Sequence, residues 1–287
     1  MKTVFTATLV VGLSLAIWAF WLEPASLRVS DYHLKIPNWP EICAPLRVAV
    51  LADLHVGSPF NDINNLRRIV EETQHSKPDL ILLPGDFVID DVFGGTFVAP
   101  EAAAKILGNL DAALGMYAVL GNHDWWLDPE RVQTSLEAEN ISVMEDRSVK
   151  VIHGECVFYL VGLSDYWEGP HDVKKALSSV PDDTAVLLFI HNPDVFPELP
   201  DQVTLTIAGH THGGQVYVPW IGRPVVPSRF EERFAQGHVV ENGRHLFVSS
   251  GIGTSIMPVR FLVPPEISLL VLGHGVALPG TLPSRKQ

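Results

Sequence analysis

Four apolar segments of this 287-residue chain end in residue types that can ligate metal ions: Asp53-Leu54-His55, Gly85-Asp86, Gly121-Asn122-His123-Asp124 and Gly209-His210-Thr211-His212-Gly213-Gly214-Gln215. Asp, Asn, His and Gly each gather in turns for backbone reasons, so any one of the four is a weak signal. Their recurrence at successive segment ends is harder to obtain from turn chemistry alone. A fifth segment, 185–190, closes on His191. Sheets built from βα units bring the C-terminal ends of their strands to one edge, where such residues can meet.

The apolar pattern predicts such a sheet. Short runs of strand length occur at 46–52, 79–83 and 115–120, with amphipathic helices expected over 62–75 and 99–112 between them. An opening extended segment is expected over 27–36, closed by Pro37 and Pro40. Beyond it strand candidates follow at 148–153, 156–163, 185–190, 204–208, 245–249 and 267–272, with fewer helices between them. The alternation predicts an α/β fold with two packed sheets and helices outside; 219–227 is a Pro-rich loop.

Residues i and i+2 of an extended segment point the same way, so Asp53 and His55 are expected to reach one ion while Leu54 turns inward. His210 and His212 share that spacing and are close enough to serve one ion each of a pair ~3.5–4 Å apart. Asp86, with two oxygens, suits a bridging position, and the Asn122 oxygen is an acceptable hard ligand. His123 projects differently from Asn122 and is free for substrate. His33, His75, His153, His171, His238, His245 and His274 read as ordinary solvated or hydrogen-bonded histidines. Trp125 and Trp126 suit a core or lid as well as a substrate wall.

The charge balance, 33 acidic against 20 basic residues for a net −13, repels polyanions, and no nucleic-acid polymer is expected as a partner. Cys43 and Cys156 supply neither a disulfide framework nor a cysteine zinc site, and leave pairing or free thiols open. Residues 4–22 carry no charge, near the ~20 residues that cross a bilayer core. Trp18, Phe20 and Trp21 at its end suit a membrane interface better than a peptidase site. Residues 1–23 are therefore expected as an uncleaved single-pass anchor in a bacterial inner membrane, with a cleaved signal and a core helix as alternatives. Lys2 on one side and Arg28 and Lys35 on the other leave the orientation open.

From about residue 46 onward, these motifs together resemble the calcineurin-like metallophosphoesterase superfamily. The run 209–215, with Gly251-Ile252-Gly253-Thr254-Ser255 and Pro258-Val259-Arg260, is similar to a bacterial membrane-associated branch. That branch includes UDP-2,3-diacylglucosamine pyrophosphatase-like enzymes of lipid A synthesis. The resemblance implies a four-layer α/β/β/α sandwich of two mixed sheets over 24–287, and two divalent ions (Mn, Fe or Zn). One ion would take Asp53, His55, Asp86 and His212; the other would take Asp86, Asn122, His191 and His210. His123, held protonated by Asp124, would assist departure of the leaving group. The implied activity is hydrolysis of a phosphodiester or pyrophosphate near the membrane, on a small-molecule or lipid-linked nucleotide-sugar substrate. A general envelope phosphatase or phosphodiesterase, and a non-catalytic metal-bound scaffold, are the other readings; no protein partner is implied. Many relatives carry an Arg soon after the Gly-Asp pair, whereas this chain has Phe87-Val88-Ile89-Asp90-Asp91. Phosphate clamping is therefore expected from Arg260 or Arg229.

Overall fold

The computed structural model describes residues 1–89 and 92–275. Asp90 and Asp91, and the end of the expected domain at 276–287, lie outside them. Two six-stranded mixed sheets form the body. The first contains β1 (Arg28–Ile36), β2 (Leu46–Val50), β3 (Leu80–Leu83), β4 (Met116–Ala118), β5 (Ser142–Val143) and β12 (Glu266–His274), ordered β1-β12-β2-β3-β4-β5. The second contains β6 (Arg147–His153), β7 (Cys156–Gly162), β8 (Val186–Phe189), β9 (Leu205–Ala208), β10 (Gly237–Glu241) and β11 (Arg244–Val248), ordered β10-β11-β9-β8-β7-β6.

Side-chain alternation places the central strands β2, β3, β8 and β9 between two apolar layers. Val48, Val50, Leu80 and Leu82 of the first sheet share one core with Phe158, Leu160, Leu187, Phe189 and Ile207 of the second. Ala49, Leu51, Ile81 and Leu83 face the other way, onto Leu66, Ile69, Ala103, Leu107 and Leu136. Those last residues belong to helices α2 (Ile63–His75), α3 (Pro100–Leu107) and α5 (Pro129–Glu137). The outer face of the second sheet is covered by α6 (Val173–Leu177) and a 3-10 turn at Pro193–Glu198. The layers are thus α/β/β/α, as expected.

Differences from the sequence reading are local. The helix expected over 99–112 stops at Leu107, where Gly108 follows. The strands expected over 46–52 and 115–120 are shorter because Leu51, Ala52, Val119 and Leu120 already lead into ligand-bearing loops. α4 (Asn122–Leu127), directly after β4, and strand β10 were not anticipated. Cys43 and Cys156 form a disulfide, tying the segment before β2 to the start of β7 at the ends of the strands opposite the ligand loops.

The N-terminal helix α1 (Lys2–Ile17) continues through a π-helical turn at Trp18–Leu22. No residue of α1 is buried, and the most apolar 18-residue window of the stretch Lys2–Leu22 has a mean hydropathy of 2.0. A core helix would bury such a surface, so that alternative does not hold. Among the described residues this is the one helix long and apolar enough to cross a membrane.

Candidate metal centre

The loops following β2, β3, β4, β8 and β9 converge between the two sheets, at the C-terminal ends of their parallel strands. Asp53, His55, Asp86 and His212 are all buried, and their ligand atoms lie within 4.8 Å of one another. Asp86 Oδ2 is 3.3 Å from both His55 Nε2 and His191 Nε2. His191 Nε2 in turn lies 3.2 Å from Asn122 Oδ1 and 3.1 Å from His210 Nδ1. All seven expected ligands therefore meet in one cluster, with the Asp86 carboxylate between its halves.

The backbone achieves this differently from the extended pincer expected for Asp-x-His. Asp53, His55, Asp86, His210 and His212 have φ of 52°, 40°, 56°, 70° and 50°, all in the left-handed region. An L residue with a Cβ pays ~1–3 kcal/mol for a sparsely populated conformation, which persists only where its surroundings dictate it. The dictating contacts are visible. His210 N–H donates to Asp53 Oδ1 at 2.8 Å, and His55 N–H to the Asp86 carbonyl at 2.9 Å. Glycines allow the carboxylates to approach the neighbouring chain: a Cβ at Gly121 would lie 2.2 Å from Asp86 Oδ1, and one at Gly209 2.6 Å from Asp53 Oδ2.

The donor set fits divalent cations. His55 Nδ1 bonds the Val88 carbonyl and His191 Nδ1 the Pro84 carbonyl, which turns each Nε2 lone pair into the cluster. His55 Nε2 then faces His212 Nε2 at 3.1 Å, and Asp53 Oδ2 is buried without a protein partner. Acceptors opposed at such distances are stabilised by positive charge between them. The electrostatics agree. Burial raises the Asp86 carboxyl, but His191 and His55 overcome it and hold the group well below the usual range. Burial also opposes a charged His191, yet Asp86, Asp53 and Asp165 carry its pKa up to about 10, so positive charge is favoured at this imidazole, whether as a proton or as a cation that displaces it. Mixed imidazole, carboxylate and amide ligation accepts several transition metals.

A family model described as calcineurin-like phosphoesterase matches residues 46–214, the span that holds every one of these ligands. The chain belongs to that family. It is 30% identical over 255 residues to the phosphodiesterase YaeI of Escherichia coli, covering 84% of this chain and 91% of that protein. It is 26% identical over 310 residues to the UDP-2,3-diacylglucosamine pyrophosphatase LpxG of Chlamydia trachomatis, covering 88% and 92% of the two chains. The solved NAD nucleotidase NadN of Haemophilus influenzae superposes with a TM-score of 0.50 at 14% identity, over 73% of this chain and 51% of that one. That last likeness concerns the fold alone. The protein is a metallophosphoesterase, with divalent metal ions as its cofactor.

His123 lies at the mouth of the phosphoesterase cluster. Its Nε2 is 4.0 Å from Asp86 Oδ2, and its ring packs against His55 and Trp126 at centroid distances of 4.7 and 4.8 Å. Asp124 does not hold it, contrary to expectation. The Asp124 carboxylate instead accepts the backbone N–H groups of Asp86, Phe87, Val88 and Gly121. Among the described residues His123 Nδ1 has no hydrogen-bond partner, and burial lowers the imidazole pKa to about 4, so the ring is neutral. Asp124 thus fixes the backbone that carries Asp86. Asp124→Ala would strand four buried amides and is expected to cost on the order of 4 kcal/mol, lowering the urea midpoint and metal content together.

The arginines are also placed otherwise than expected. Arg260 is fully buried, and its guanidinium donates to the carbonyls of Ser250, Gly251, Gly253 and Val263. Arg229 turns onto Glu198 at 2.7 Å and over the Tyr166 ring. Arg260 is thus enclosed by protein carbonyls, while the Arg229 Nη2 is held by Glu198 and the Asp194 carbonyl. Trp125 packs on the helical core, whereas Trp126 is half exposed beside His123 and Trp167 meets His210 edge-on at 4.4 Å.

Glu145 is a supporting residue that the motifs do not reveal. Its Oε1 accepts the Leu120 N–H ahead of the Asn122 loop, and its Oε2 is buried without a hydrogen-bond partner among the described residues. Burial, with repulsion from Asp146, Asp165 and Asp124, pushes its pKa from 4.5 to about 7. A carboxyl raised on folding keeps its proton where the unfolded chain has lost it. Stability therefore falls as pH rises from about 4.5 to about 7 and then levels off. Glu145→Gln should remove that loss, making the variant more stable above pH 7 by at most about 3 kcal/mol and equal below pH 4.5. Urea unfolding of both proteins at pH 4 and pH 8 measures it.

Proposed function

We propose that this phosphoesterase is a membrane-anchored hydrolase of phosphodiester or pyrophosphate bonds, with residues 1–23 as the anchor, 24–287 as the catalytic domain and an amphipathic, lipid-linked phosphoester as substrate. The observation that carries the catalytic reading is Asp86 Oδ2, equidistant at 3.3 Å from the imidazoles of the two ligand groups. Asp53, His55, Asp86 and His212 would hold one ion, and Asp86, Asn122, His191 and His210 the other. Bound there, such ions would supply an acidified water of pKa ~7 and positive charge for the phosphoryl oxygens. Asp86 sets the separation of the two ligand groups. His123, outside the ligand set and at its mouth, donates a hydrogen bond from its neutral ring to a phosphoryl or leaving-group oxygen. Trp126 and Trp167 flank that position and limit access of bulk water.

The lipid part of the reading is supported by the unburied helix Lys2–Leu22 and by similarity to LpxG, whose name specifies a diacylated nucleotide sugar. The Cys43–Cys156 disulfide favours an oxidising compartment for the domain, with Lys2 on the cytoplasmic side of a bacterial plasma membrane. Manganese-loaded protein, assayed on a nucleotide-sugar lipid pyrophosphate, aryl phosphodiesters, monoesters and cyclic nucleotides, tests the proposal. Hydrolysis of diesters or pyrophosphates is expected. Activity confined to monoesters overturns the bond assignment, and no turnover with both metals bound favours a scaffold.

A further inference from the structure

The foot of the N-terminal helix is built into the rim of the metal centre. Ala19 is buried, and its carbonyl accepts the Arg260 N–H at 2.9 Å; Trp21 meets the Phe60 ring edge-on at 5.4 Å. From that junction a continuous set of loops runs around the site. The strip beginning at Ser255 is tied to Gln215, three residues beyond His212, by bonds to the Ser255 and Met257 carbonyls and from the Ser255 N–H. Phe261 N–H donates to Gln215 and Tyr217 N–H to Phe261, while Phe93 N–H donates to the Ile256 carbonyl. These tied loops carry large apolar side chains in the open: Trp220 at 101% exposure, Ile221 at 75%, Ile256 at 72%, Phe93 at 70%, with Met257 and Leu262 partly covered.

A cluster of aromatic and branched aliphatic side chains this exposed is unfavourable in water and marks a binding surface. Its occupant is indicated by its connection to the helix: hydrogen bonds join the strip to Ala19, at the end of a 21-residue apolar stretch. The strip therefore lies directly beside the end of that stretch. Trp and bulky aliphatics at the end of an apolar span suit the headgroup boundary of a bilayer. We propose that Phe93, Trp220, Ile221, Ile256, Met257 and Leu262 form an interfacial surface. It beds the rim of the site into the same bilayer that holds the helix, so that the metal centre opens at the lipid boundary. This rests on the membrane-spanning reading above and adds a second, lateral contact to it.

Full-length protein is reconstituted in phosphatidylethanolamine/phosphatidylglycerol vesicles brominated either near the headgroups or near the acyl-chain ends, and tryptophan fluorescence is compared with that of Trp220→Phe. The expected result is quenching by headgroup-proximal bromine that diminishes in Trp220→Phe. Quenching that is identical in both proteins leaves the helix in the membrane but overturns the interfacial surface. Absence of quenching at either depth overturns the spanning reading and this one together. A second arm uses the double variant Trp220→Glu, Ile221→Glu, both outside the metal centre. Hydrolysis of a vesicle-borne lipid phosphodiester should fall about tenfold while a soluble aryl phosphodiester is turned over as before. Equal loss on both substrates overturns the proposal.

Discussion

Asp86→Asn is expected to lower phosphoester hydrolysis by more than about 10³-fold and to reduce bound metal, with the fold retained. The substitution is chosen for what it keeps. Asp86 Oδ1 accepts the His123 N–H at 3.0 Å, and an asparagine oxygen fills that role. The other carboxylate oxygen, set between His55 and His191, becomes an amide NH2. A neutral donor there repels cations and cannot join the two ligand groups. Metal analysis by mass spectrometry, with circular dichroism as the control for folding, separates loss of the site from loss of the protein. Turnover by a variant that retains the full metal content would sink the bridging assignment.

His123→Ala should give the complementary result, with metal content unchanged and kcat down by about 10²–10³-fold. No ligand contact depends on this ring, which touches His55 and Trp126 by packing and lies 4.0 Å from Asp86. An interaction made mainly in the transition state lowers kcat and kcat/KM together and leaves KM nearly constant. His123→Asn, which restores an N–H donor in a shorter side chain, should recover part of the rate. Wild-type hydrolysis of an aryl phosphodiester by His123→Ala would refute the role. The pair of variants also discriminates between enzyme and scaffold, since a scaffold would be insensitive to His123.

The clustered side chains were legible in the sequence because Asp, His and Asn recur at successive segment ends, and the apolar runs before each motif marked the strand ends. Helix α2 was legible from its apolar spacing and from Asp62, whose side chain accepts the Asn64 and Asn65 amides. Other features depended on contacts that no local pattern encodes. β1 pairs with β12 across Arg28 and Glu266, far apart in the chain. Arg260 reads as a phosphate clamp until the carbonyl cradle around it is seen, since a sequence does not reveal which donors are already satisfied. Asp124 did carry a signal. It stands three residues after Gly121 at the start of α4, where an acidic side chain reaches back to the first amides of a helix. The rule that i and i+2 share a face anticipated that Asp53 and His55 meet, but through an extended backbone that the structure does not have.

That backbone has a consequence for how activity is lost over generations. Alanine is ordinarily better tolerated than glycine, but at φ of 40° to 70° the order inverts, because glycine occupies that region without a Cβ clash. At Asp53, His55, Asp86, His210 and His212, a glycine variant should therefore exceed the alanine variant in stability by about 1 kcal/mol. Backbone preference alone does not account for Cβ-bearing residues in those torsions. Released from selection for turnover, a lineage drifting towards an inactive paralogue would gain robustness by replacing ligands with glycine, and the former active loops would become the best-tolerated entry points for new binding functions.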